Sequence, residues 1–132
     1  MVFSGWIELH SQGNTDTHDL SESVRALVRD SGIQHGVAVV FTPSSTSALT
    51  TIEYESGALE DLRRALDQIA PPDVEYQHNL RWGDGNGHSH LRAALIGPSL
   101  SIPIVEGQLY MGTWQQILFI DFDTRPRQRR LL

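Results

Sequence analysis

The last third of the chain most constrains the fold. Between residues 100 and 132, β-branched, aromatic and aliphatic runs are broken only by turn signals such as Glu106-Gly107, with no helical period between them. Strands that follow one another without helical crossovers pair antiparallel, because parallel neighbours need a long connection. The pattern predicts a strand over 100–105, a turn at Glu106-Gly107, a long strand over 108–123 and a terminal strand over 129–132.

The first two thirds supply helices. A short aromatic-rich strand is expected at 3–9. Asp19-Leu20-Ser21-Glu22 then offers a carboxylate cap with a glutamate three residues on. Val24, Leu27 and Val28 follow at helical spacing and Ser31-Gly32 stops the run, which predicts a helix over 20–31. Residues 36–42 read as a buried strand and 43–48 as a hydroxyl-rich loop. A second helix over 57–69 places Leu59, Leu62, Ala65, Leu66 and Ile69 on one face and ends at Pro71-Pro72. A strand is expected near 74–78, then a polar, glycine-rich stretch over 82–90. Leu91, Ala94 and Leu95 suggest a short third helix before Gly97-Pro98. Without a repeat or a linker, the 132 residues read as one compact α+β domain spanning 1–132, mainly antiparallel sheet with two or three helices.

Composition narrows the chemistry. All ten basic residues are arginine, and the chain has neither lysine nor cysteine. That excludes a Schiff-base lysine, a lysine-bearing phosphate loop, a thiolate nucleophile, a cysteine zinc site and disulfides. The net charge of -6 gives no general attraction to nucleic acid or to anionic membranes. Most of the acids lie before residue 76 and six of the arginines after it, so an anion site is expected in the second half. The first residues lack a signal-peptide layout, and no apolar run approaches the roughly 20 residues of a membrane span, so the cytoplasm is the expected compartment.

Chemistry-bearing residues concentrate between 76 and 92. His78, His88 and His90 could form a three-histidine metal site with an open position. His88 and His90 share a face if the segment is extended and diverge if a helix begins between them. Exposed loop histidines are the competing account. The glycines of Asp84-Gly85-Asn86-Gly87 could turn amides toward an anion, or could form a simple turn. Ser44, Ser45 and Thr46 could donate to phosphate, or be merely solvated. Glu53 and Glu55 lie where acids complement a helix start. Arg125, Arg127 and Arg129 share one face of a terminal strand, as a phosphate clamp or as charges guarding an edge.

These residues resemble those of a known family. Tyr76-Gln-His78, Asp84-Gly-Asn-Gly-His-Ser-His-Leu-Arg92, Gly97-Pro-Ser99, Gly112-Thr-Trp-Gln-Gln116 and Asp121-Phe-Asp-Thr-Arg-Pro-Arg127 are similar to segments of the YjbQ family, also called secondary thiamine-phosphate synthases. Ser45-Thr46-Ser47-Ala48-Leu49-Thr50 and Glu53 extend the likeness to the N-terminal half. The resemblance implies a compact α+β protomer in a homotrimer, with sites near the subunit interfaces. It also implies a transferase that joins hydroxymethylpyrimidine pyrophosphate to thiazole phosphate and releases pyrophosphate.

Position by position, the resemblance points to His78 and His90 as metal or catalytic groups, with His88 the weakest of the three ligands. Arg92 falls at a basic position, Glu53 at the acid after the hydroxyl loop and Gln115 at the glutamine of the Trp-Gln pair. Ser44 stands where many members carry a histidine. The expected site therefore has His90, Asp84 and Glu53 as catalytic groups and a divalent metal, magnesium or zinc, on His78, His88 and His90. Ser44, Ser45, Thr46, Asn86, Arg92, Gln115 and Arg125 would bind a small phosphorylated metabolite. A metal-dependent phosphoester hydrolase and a non-enzymatic trimeric binder of such a metabolite are the alternatives. No nucleic-acid or membrane partner is expected.

Overall fold

The structure is a computed structural model that describes all of residues 1–132. Its elements in chain order are β1 (Ile7–Ser11), β2 (Asp16–Asp19), α1 (Ser21–Ser31), β3 (Gly36–Phe41), β4 (Ser47–Ile52), α2 (Ser56–Ile69), α3 (Gln77–Trp82), α4 (Gly87–Ile96), β5 (Ser99–Val105), β6 (Gln108–Leu109), β7 (Gln116–Asp121) and β8 (Arg127–Leu131). All strand pairs are antiparallel, in three small sheets ordered β1-β8, β2-β7-β4 and β3-β5-β6. The α+β architecture is as expected, with four helices rather than two or three.

The central sheet is covered on both faces. Ile117 and Phe119 of β7 pack with Val24 and Val28 of α1 and with Ile102 and Ile104 of β5. The alternate residues Leu118 and Ile120, with Phe122, pack against Leu66 of α2 and Ala93 of α4. Burial on both sides explains why β7 reads as an unbroken apolar run rather than an alternating one. Ile117, Leu118, Phe119 and Ile120 are all fully buried.

Local chemistry sets the ends of the helices. Asp19 Oδ1 accepts from the Ser21 amide at the start of α1, and Gly32, at φ 67°, closes its end. Glu55 caps α2 by accepting from the amides of Gly57 and Ala58, at 2.6 and 2.9 Å. Those two bonds to the ionised form hold its carboxyl below the usual range.

Four expectations are corrected. The segment at 74–78 is not a strand. Tyr76 donates its hydroxyl to the Pro71 carbonyl, 2.6 Å away, which folds the chain back into α3. The long strand over 108–123 is interrupted between β6 and β7, where the Gln115 side chain accepts from the Gly112 amide and closes a turn. The hydroxyl-rich loop ends early, because β4 begins at Ser47. Strand β2, too short and polar to show a period, went unanticipated, and β1 starts at Ile7 rather than residue 3. No helix is long and apolar enough to cross a membrane.

Candidate metal centre

Three side chains converge where α3 meets α4. His78 projects from α3, Asp84 from the link and His90 from α4, and one potential ligand atom of each lies within 4.8 Å of the other two. The imidazole centroids of His78 and His90 are 4.4 Å apart, and His78 Nδ1 is 3.3 Å from Asp84 Oδ1. The reversal between the helices takes four residues, which is feasible because Gly83 and Gly85 adopt φ of 66° and 68°. Gly87 is fixed for a different reason: a Cβ there would meet the Tyr76 Cβ at 2.5 Å.

The donor set suits a divalent cation. His78 Nδ1 is buried without a hydrogen bond, and its short distance to Asp84 lacks hydrogen-bond geometry. A buried ring nitrogen costs free energy when it has no partner, and a cation bound between the rings and the carboxylate would supply one. Two imidazoles and a carboxylate suit zinc better than magnesium, which prefers an all-oxygen shell.

His88 does not join this group. Helix α4 begins at Gly87, so His88 and His90 are separated by roughly 200° around the helix axis. His88 is 6% exposed and packs near the Tyr76 ring, with its Nε2 3.5 Å from Ser89 Oγ. Burial, reinforced by the Arg92 charge, lowers its pKa and keeps the ring neutral.

Arg92 is placed differently from the expectation of a solvent-facing phosphate anchor. It is 2% exposed and donates to the Ala70 carbonyl, to Thr15 Oγ1 and to Asp67 Oδ1, at 2.9, 3.3 and 2.8 Å. It ties α4 to the end of α2 and to the turn before β2. Asn86 is similarly engaged. Its Nδ2 donates to Asp123, and its Oδ1 accepts from Ser89 Oγ and from the Thr124 amide. The amides of Asn86 and Gly87 donate to Asp84 and Asn79, so they too act within the chain.

Thr46 donates to Asp123 Oδ2 and accepts from Arg129, while Ser44 Oγ accepts from the Thr46 amide. Ser45 is exposed, and its side chain makes no hydrogen bond. Glu53 and Gln115 lie at the far end of the central sheet. Ile52 pairs with Gln116 at one end of β4 and Ser47 with Asp121 at the other, a separation of about 17 Å at the usual strand rise. Gln115 there donates to Thr51 Oγ1. Arg125 is exposed, and only its backbone amide is bound, to Asp123.

Beneath the centre lies a buried charged network that sequence reasoning missed. Asp121, fully buried, accepts from Arg129 Nε and Nη2 at 2.7 and 2.9 Å. Burial pushes the Asp123 carboxyl upward. Hydrogen bonds from the Arg125 amide, Asn86 and Thr46, together with the Arg127 charge, outweigh that and hold it below the usual carboxylate range. The alternating Asp-Phe-Asp and Arg-Pro-Arg-Gln-Arg segments carried the signal, since alternate residues share a face.

Residues 6–132 match the family model described as UPF0047 protein YjbQ-like. A UPF0047 protein of Methanothermobacter thermautotrophicus is 37% identical over 130 residues, covering 98% of this chain and 89% of its own. One from Archaeoglobus fulgidus is 38% identical over 114 residues, 86% of each chain. A crystal structure of an uncharacterised YjbQ/UPF0047 protein from Clostridium acetobutylicum superposes with a TM-score of 0.89 at 32% identity, covering 98% of this chain and 97% of that one. Another, of a protein of unknown function from Sulfolobus solfataricus, gives 0.88 at 29% identity over 96% and 92% of the two chains. With residues 6–132 matched by the family model and relatives above 30% identity covering most of its length, the chain belongs to the YjbQ (UPF0047) family.

Proposed function

We propose that the protein is a thiamine-phosphate-synthase-like transferase acting on small phosphorylated metabolites in the cytoplasm, and that it assembles as a homotrimer. The observation that carries the reading is the convergence of His78, Asp84 and His90 at an open edge of the fold. In the implied reaction the carbon–oxygen bond between the pyrimidinylmethyl group and pyrophosphate breaks, and its electron pair leaves with pyrophosphate. The thiazole nitrogen then forms the new carbon–nitrogen bond.

A divalent cation held by His78, Asp84 and His90 would supply positive charge to the departing pyrophosphate. The Asn86 side chain fixes the link that carries Asp84, and Arg92 fixes the helix that carries His90. Arg125, exposed and next in sequence to the Thr124 amide that bonds to Asn86, would contribute a permanently charged guanidinium. Glu53 and Gln115, remote within one protomer, would enter the site only from a neighbouring subunit.

A steady-state assay with both substrates tests the activity. His90→Ala is expected to lower turnover by about 100-fold or more; full turnover in that variant sinks the assignment. Phosphoester cleavage without a thiazole acceptor would favour the hydrolase. Ligand-induced thermal stabilisation without turnover would favour a binder.

Support for self-association, though not for its stoichiometry, comes from β3, whose Val37, Val39 and Phe41 are 61%, 60% and 39% exposed on one side of an edge strand. Such a contiguous apolar face is characteristic of an interface. Light scattering should give three times the mass of one chain, and the mass of a single chain would overturn the proposal.

A further inference from the structure

Acids outnumber arginines by sixteen to ten, and nearly every guanidinium is neutralised. All the arginines except Arg81 and Arg125 have a carboxylate oxygen at 3.9 Å or less. Arg81 has no hydrogen-bonded or aromatic partner either, although it stands on the six-residue helix that supplies His78. In an acidic protein, a cation left free beside a candidate metal centre is available to an anion from outside.

Its neighbour is equally unpartnered. Trp82 is 69% exposed, although the indole is among the side chains that gain most from burial. Relative to His78, Arg81 is three residues on and Trp82 four, the spacings that place side chains together along one side of a helix. His78, Arg81 and Trp82 all line one open depression of about 460 Å³, with Gln77 and Leu80 completing its wall. The depression thus brings together part of the His78 side chain, a forked cation and a large aromatic side chain.

We propose that Arg81 and Trp82 are the ligand-selecting pair of this site. Arg81 grips a phosphate or similar anionic group through its two-pronged donor geometry, and Trp82 stacks on a flat ring attached to that group. The inference rests on the reading that this edge of α3 and α4 is the ligand site, and it assigns to Arg81 the charge role that the buried Arg92 does not fill. It selects anions carrying a planar ring over equally charged aliphatic ones.

The test is calorimetric titration of the full chain, with and without zinc, using phenyl phosphate and methyl phosphate as probes. The unmodified protein is expected to bind phenyl phosphate about tenfold more tightly than methyl phosphate, the order of one stacking contact. Trp82→Leu should erase that preference and leave methyl phosphate unchanged. Arg81→Gln should weaken both probes about tenfold. Zinc affinity, read separately by chelator competition, should be the same in both variants. A persistent ring preference in Trp82→Leu overturns the proposal, as does undiminished binding of both probes by Arg81→Gln. A change of oligomeric mass in Trp82→Leu also overturns it, by assigning the indole to a subunit contact. Failure of the chain to bind zinc would refute the metal centre alone, because the phosphate titrations without zinc still read Arg81 and Trp82.

Discussion

Alanine in place of either His78 or His90 is expected to lower zinc affinity by about two orders of magnitude or more, beyond the 10- to 100-fold typical of losing an outer-shell partner. Each imidazole is one of only three protein donors around a single point, so its loss leaves an incomplete set open to water. His88→Gln is the discriminating control, since that ring is buried among Tyr76 and Ser89 and contributes no atom to the group. Equilibrium dialysis of the folded variants against zinc reads all three. A loss in His88→Gln equal to that in His90→Ala would mean that the cation sits elsewhere.

The second large effect is on stability. Asp121→Ala is expected to destabilise the fold by about 3–5 kcal/mol, because the change leaves the largely buried Arg129 guanidinium without its two-pronged carboxylate partner. Urea denaturation measures the loss, and an unfolding midpoint within error of the unmodified protein would refute it. The pH dependence follows from the neighbouring Asp123. Its folded pKa is depressed, so its contribution is fully present above the ordinary carboxylate value of about 4 and disappears as pH falls through the lower folded value. Stability should therefore fall as pH drops below about 4, and Asp123→Asn should flatten that limb.

How much of this was legible in the sequence depended on whether the signal was local. Helix α1 and strands β3 and β5 followed from short apolar periods with nearby stops, and each lies within a residue or two of its expected bounds. Helix α3 did not, because Val74-Glu75-Tyr76-Gln77-His78 alternates like a strand. What bends it is a hydroxyl bonded to a carbonyl five residues back, which no period encodes. Within the site, the sequence offers His78 and His90 as ligands and Asp84 as a catalytic group, and it groups His88 with the other two histidines because spacing alone does not place the start of α4. The errors about Arg92 and Asn86 share one cause. A polar side chain that looks ready for a ligand looks the same in sequence when Asp67 or Asp123, brought near only by folding, already holds it.

The three-way bond of Arg92 bears on the mechanics of the site. Helix α4 is bolted through that guanidinium to Ala70, Asp67 and Thr15, so His90 rides on a part of the molecule that cannot shift without breaking several buried bonds. Helix α3 has no buried residue of its own, and the link after it turns on two glycines. The centre thus has one stiff jaw and one compliant jaw. Cations of different radius would be accommodated by movement of His78 relative to His90 and to Asp84, whose carboxylate is held by the Asn86 amide, and the two glycines of the link would set how far that movement can go.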